Sequence, residues 1–98
     1  MLSQILAQDP TNAFARYGLA MELVSQSRIP EGLAEFARCI ADNPDYVPAY
    51  QMSAQTMAAN ANHEGAIARL HEGIATANRT GNLHALAEME ALREELIA

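Results

Sequence analysis

Residues 32–44 read Gly32-Leu33-Ala34-Glu35-Phe36-Ala37-Arg38-Cys39-Ile40-Ala41-Asp42-Asn43-Pro44, and a weaker copy follows as Ala66-Ile67-Ala68-Arg69-Leu70-His71-Glu72-Gly73-Ile74-Ala75. Leu33 pairs with Ile67, Phe36 with Leu70 and Ile40 with Ile74, all at an offset of 34 residues. The large apolar residues of each copy recur three and four apart, as on one buried face of a helix. The same offset holds further out, matching Pro10 to Pro44, Ala15 to Ala49, Ala20 to Ala54, Leu23 to Met57 and Gly32 to Ala66. Small residues recur where two helices must approach closely, and large ones where they interdigitate. A constant period of this length is the signature of a helix–turn–helix repeat.

Breaks in the pattern divide the chain. Leu2, Ile5 and Leu6 make a short helix that ends before Asp9-Pro10, since a residue preceding proline avoids the helical region. Thr11 or Asn12 then caps a helix from about Ala13 to Gln26. Pro30 suits the first turn of the next helix, where its missing N–H is no loss, and Asn43-Pro44 stops that helix. Asp45 is a candidate cap for a helix over Tyr46–Ala59, and Asn62 for one from His63 to about Asn78, with Gly81 as a stop. Leu83, Leu86, Met89, Leu92 and Leu96 give a last amphipathic helix its inner face. No segment alternates with a period of two, so no strand is expected. The prediction is an all-α single domain: repeat one over about 11–44, repeat two over about 45–78, and a capping helix over about 82–97. These are five main helices behind the short leading one, wound as an α-α superhelix.

Composition bounds the function. A chain of 98 residues buries a real but modest core. The formal net charge is −6, with no lysine and six scattered arginines, a balance that repels a phosphate backbone and an anionic membrane surface. Nucleic acid and membrane are therefore not expected partners. Cys39 is alone, so the chain needs no oxidising compartment. The N-terminus lacks a signal-peptide pattern, and a cytoplasmic setting is expected.

The repeats resemble the tetratricopeptide repeat, whose pattern runs W-x-x-L-G-x-x-Y, then A-x-x-x-F, then P. The first copy supplies Leu19-Ala20-x-x-Leu23, Gly32-x-x-x-Phe36 and Pro44. The second supplies Tyr50-x-x-Ser53-Ala54-x-x-Met57 and Ala66-x-x-x-Leu70, with Asn78 where proline would stand. Arg16 replaces the first aromatic, and Ser53 replaces a leucine. The resemblance implies a protein-interaction module that holds a peptide or protein segment in a groove lined by the first helix of each pair. Carried onto this sequence, the groove holds Phe14, Tyr17, Met21 and Val24, then Pro48, Gln51, Met52 and Gln55, with Ala85 and Met89 continuing it on the last helix. The alternative is a structural protein that self-associates through its repeats.

Nothing in the sequence marks catalysis. His63 and His71 lie two helical turns apart, and no His-x-x-x-His or Cys-x-x-Cys pair exists. Cys39 occupies a small buried position of the repeat and reads as a structural thiol. Glu88, Glu90, Glu94 and Glu95 read as a solvated face, and Glu35–Arg38 as an i, i+3 pair. No enzyme activity, metal or cofactor is expected.

Overall fold

The computed structural model describes residues 2–98 as six helices, with no strand among them. They are α1 (Leu2–Gln8), α2 (Ala13–Ser25), α3 (Ile29–Asp42), α4 (Val47–Ala59), α5 (His63–Thr80) and α6 (Leu83–Ile97). α2 packs against α3, and α4 against α5, as two helical hairpins; α6 lies on α5 and α4, and α1 on α2.

Local chemistry sets the helix ends. Three helices start on an asparagine whose side-chain carbonyl accepts a backbone N–H: Asn12 from Ala15 at 2.8 Å, Asn62 from Gly65 at 3.0 Å, and Asn82 from Ala85 at 3.2 Å. α3 and α4 have no side-chain cap and carry Pro30 and Pro48 in their first turns. Asp45 is not a cap. Tyr46 holds that position, and Asp45 accepts a hydrogen bond from Arg79 at 2.7 Å, tying the α3–α4 turn to the end of α5.

α2, α4 and α5 end alike. Ser27, Ala61 and Gly81 take left-handed φ values of 62°, 65° and 77°. The next residue's N–H donates five residues back: Arg28 to Leu23, Asn62 to Met57 and Asn82 to Ala77, each at 2.9 Å. This is the Schellman closure, which satisfies carbonyls left open at a helix end. Only the third instance uses glycine. Ser27 and Ala61 hold the same conformation despite their Cβ atoms, at equivalent points of the two repeats.

The core follows the repeat. Ala15 and Ala49, Ala20 and Ala54, and Phe36 and Leu70 are all fully buried. Gly32 and Gly73 mark close approaches. A Cβ on Gly32 would stand 2.7 Å from Val24 Cγ2, and one on Gly73 would stand 2.7 Å from Met89 Sδ and 2.8 Å from Tyr50 Cβ. Two apolar clusters result. One gathers Ala20, Phe36, Cys39 and Ala49, with Tyr17, Met21, Val24 and Met52 packed on it; the other gathers Val47, Ala54, Leu70, Ala77, Ala85 and Met89.

The departure at Arg16 has a structural equivalent. Arg16 is 7 % exposed; its Nη2 donates to the carbonyl of Pro10 at 2.9 Å and its Nη1 pairs with Glu35. Tyr50, its counterpart, donates its hydroxyl to the carbonyl of Pro44 at 2.7 Å. A guanidinium and a phenol thus make the same tie to the proline that precedes each repeat. Glu35 is committed to Arg16 across the hairpin, not to Arg38, which pairs with Asp42.

The period changes after α5. α3 has 14 residues and α5 has 18, while the turn that follows shrinks from residues 43–46 to residues 81–82. α6 therefore begins 36 residues after α4, although α4 begins 34 after α2. Leu83, expected inside, is 69 % exposed, because two three-residue steps back from Met89 each fall short of a full turn and carry it round the helix away from the core; Leu86, Leu92 and Leu96 pack on the second cluster and Met89 lies within it.

Candidate functional site: an open face across α2, α4 and α6

At about 100° per residue, the positions of α4 that stay off the core are Pro48, Gln51, Met52, Gln55 and Ala59. Gln55 and Ala59 are exposed, and the other three half-buried. Gln51 leans toward α6, and Met52 toward α2, where it packs on the first cluster. On α2 the equivalent strip holds Phe14, Met21 and Ser25, with Tyr17 at the α4 edge. Phe14 is 72 % exposed. Tyr17, half-buried, packs its ring obliquely against Phe36, 5.9 Å between centroids, and edge-to-face against Tyr46 at 5.7 Å. α1 bounds the strip on the far side, with Leu2 against Gly18.

On α6 the change of period moves the strip. His84, Glu88, Ala91 and Glu95, spaced four, three and four apart, are all exposed. The Nε2 of Gln51 donates to Glu88 at 3.0 Å, joining α4 to α6 along this face, and His84 Nε2 lies 3.5 Å from the same carboxylate. Seven of the expected groove residues therefore lie on or beside one face: Phe14, Tyr17, Met21, Pro48, Gln51, Met52 and Gln55. Three do not. Val24 fills the space opposite Gly32 inside the first hairpin. Met89 is 1 % exposed, its sulfur in contact range of Gly73, and Ala85 is 6 % exposed; both are core. His84, Glu88, Ala91 and Glu95 take their place. Counting 36 residues on from Pro48, Met52, Gln55 and Ala59 identifies them; counting 34 does not.

The charge is unevenly distributed. Five arginines pair with acids: Arg16 with Glu35, Arg28 with Glu31, Arg38 with Asp42, Arg69 with Glu72 and Arg79 with Asp45. Seven carboxylates and Arg93 lie outside these pairs, which accounts for the whole net charge of −6. Four of the seven, Glu88, Glu90, Glu94 and Glu95, are on α6. The face thus grades from aromatic and thioether side chains on α2, through two neutral amides on α4, to carboxylates on α6.

Burial acts on three weakly acidic groups around α2. It raises the Tyr17 and Tyr46 phenols and the Cys39 thiol; for the thiol, Arg16 opposes the shift and Asp42 adds to it. Cys39 Sγ lies 3.5 Å from the carbonyl of Ala13, to which it donates. No cluster of three His, Cys, Asp or Glu side chains able to hold a metal occurs among the described residues. No helix among them is long and apolar enough to cross a membrane.

The arrangement superposes on solved structures over most of its length. A tetratricopeptide repeat domain protein from Salinibacter ruber, solved in solution, matches with a TM-score of 0.83 at 26 % identity, covering 89 % of this chain and 88 % of that one. The fold is the tetratricopeptide-repeat fold. A crystal structure of a tetratricopeptide repeat domain protein from the same organism gives a TM-score of 0.81 at 25 % identity, over 89 % and 98 % of the two chains. A protein from Bordetella parapertussis matches at 0.82 and 21 % identity, over 98 % and 84 %, and speaks to the fold alone. No family model and no curated protein matches the sequence. In this tetratricopeptide-repeat fold the open face belongs to the first helix of each pair, α2 and α4, and to α6, which stands where a third would begin.

Proposed function

We propose that the chain is a protein-interaction module whose α2–α4–α6 face binds an extended segment of a protein partner. The observation that carries this is Phe14. A phenylalanine 72 % exposed on a well-packed helix, beside Tyr17, Met21 and Met52, supplies apolar area of the kind that anchors peptides. Gln51 and Gln55 add donors and acceptors that suit a peptide backbone. The role is binding, not catalysis, and a lone buried thiol suits a reducing, cytoplasmic setting.

Panning a phage-displayed library of random dodecapeptides against the purified protein tests the reading. Peptides should be enriched, and the double change Phe14→Ala with Gln55→Ala should weaken them at least about tenfold, which is ~1.4 kcal/mol, with the melting temperature held. Tyr17 is unsuitable for this test, because its ring also packs on Phe36 and Tyr46. Binding untouched by these changes but abolished by charge reversal at Glu90 and Glu94, on the far side of α6, would move the interaction surface elsewhere. Self-association is the competing reading, since an exposed aromatic patch also serves a second copy; sedimentation of the parent against Phe14→Ala separates the two.

A further inference from the structure

Resting on that reading, we propose that the bound segment is basic at one end: it places an apolar side chain against Phe14 and Met21, and an arginine or lysine against Glu88 and Glu95, about six residues away. The spacing follows from geometry. Neighbouring packed helices lie ~8–10 Å apart, so α2 and α6 are separated by roughly 20 Å across α4, and an extended chain advances ~3.3 Å per residue. The charge follows from the ion-pair inventory. Five arginines are each committed to an acid, and none of the five lies on the open strip. Glu95 makes no ion pair among the described residues, and Glu88 meets only the amide of Gln51 and His84. The two carboxylates are seven residues apart on one side of α6, two helical turns, and so line one edge of the face with negative potential. An acidic segment meets repulsion there, and an uncharged one leaves the edge unused. The complement of a face that is apolar at one edge and anionic at the other is a segment with the reverse gradient.

The peptides enriched in panning test this directly. They should carry an apolar residue with an arginine or lysine five to seven positions away. In fluorescence anisotropy with the tightest of them, exchanging its basic residue for glutamine should weaken binding to the parent about three- to tenfold at ~20 mM salt, and less at ~300 mM, because exposed charges are screened. The same exchange should have almost no effect on Glu88→Gln/Glu95→Gln, since the two changes remove one interaction. The Phe14→Ala variant should keep the basic-residue effect while losing affinity overall. Enriched peptides without a basic residue at that spacing, or equal losses on parent and double variant, would overturn the proposal and leave the peptide-binding face intact. No enrichment at all would overturn both. A dimer in sedimentation that Phe14→Ala dissociates would make a second copy the occupant and overturn it as well.

Discussion

Arg16 offers the sharpest test of the repeat register, because its counterpart does the same work with different chemistry. Arg16→Ala removes the 2.9 Å bond to the Pro10 carbonyl and the pairing with Glu35, and empties the space of a side chain only 9 % exposed. A hydrogen bond from a charged donor contributes about 1.5–3 kcal/mol. Glu35 is 28 % exposed and rehydrates in part, so its loss of a partner adds less than a fully buried pair would. The sum is roughly 2–4 kcal/mol. For a domain of this size each kcal/mol moves the midpoint by ~4–8 °C, so the melting temperature should fall by roughly 10–30 °C. Arg16→Tyr tells more. Tyr50 reaches the Pro44 carbonyl from the equivalent position, so tyrosine at 16 should reach Pro10 and also remove the unpartnered Arg16 Nε. It should recover most of the loss, to within about 1 kcal/mol of the parent. Urea and thermal unfolding followed by circular dichroism measure both. A parent-like Arg16→Ala, or an Arg16→Tyr as unstable as the alanine variant, would show that the equivalence of positions 16 and 50 carries no energy.

Other outcomes follow from the packing and the ionisations. Phe36→Ala should cost about 3–5 kcal/mol in urea unfolding, from lost burial plus the cavity, and Gly73→Ala should also destabilise, because its methyl meets Met89 and Tyr50 below contact distance. Ser53→Ala should raise the melting temperature by several degrees, since the fully buried hydroxyl has no hydrogen-bond partner. Cys39, with its thiol raised by burial, should resist alkylation by iodoacetamide at pH 8 and react at once in denaturant. Arg79, through its hydrogen bond, lowers the pKa of Asp45 below its ordinary value. That contribution is present above the carboxylate's unfolded value and is lost as pH falls through the lowered folded one. The stability difference between the parent and Asp45→Asn should therefore vanish in acid, measured as paired melting curves at low salt.

Much of the fold was legible because it repeats. Phe36 with Leu70, Ala20 with Ala54 and Gly32 with Ala66 carry the register in residue size alone, and all six are buried as that register requires. What escaped is what size does not encode. The closures at Ser27 and Ala61 carry no glycine to announce them, and Asp45 has the composition of a cap but a tertiary partner instead. Glu35 lies three residues from Arg38, yet the stronger claim on it comes from Arg16 on another helix. On the open face, Phe14, Met21, Gln51 and Gln55 were readable by period, whereas Glu88 and Glu95 were not. Four extra residues in α5 and a turn two residues shorter reset the count, and a period learned from two repeats cannot report a change in the third.

The paired left-handed residues have a use beyond closing helices. A side chain at positive φ costs free energy that glycine avoids, and Ser27 and Ala61 carry that cost once in each repeat, in the turn between the two helices of a pair. Ser27→Gly relieves it in the first hairpin alone and Ala61→Gly in the second alone, and neither residue belongs to the buried core. A stacked array behaves as a row of units, each with its own intrinsic stability and a coupling to its neighbour. These two positions let the units be biased one at a time while the coupling between them is left alone. Whether a chain of two repeats unfolds as one body or from one end then becomes an adjustable property, set at two turns far apart in sequence.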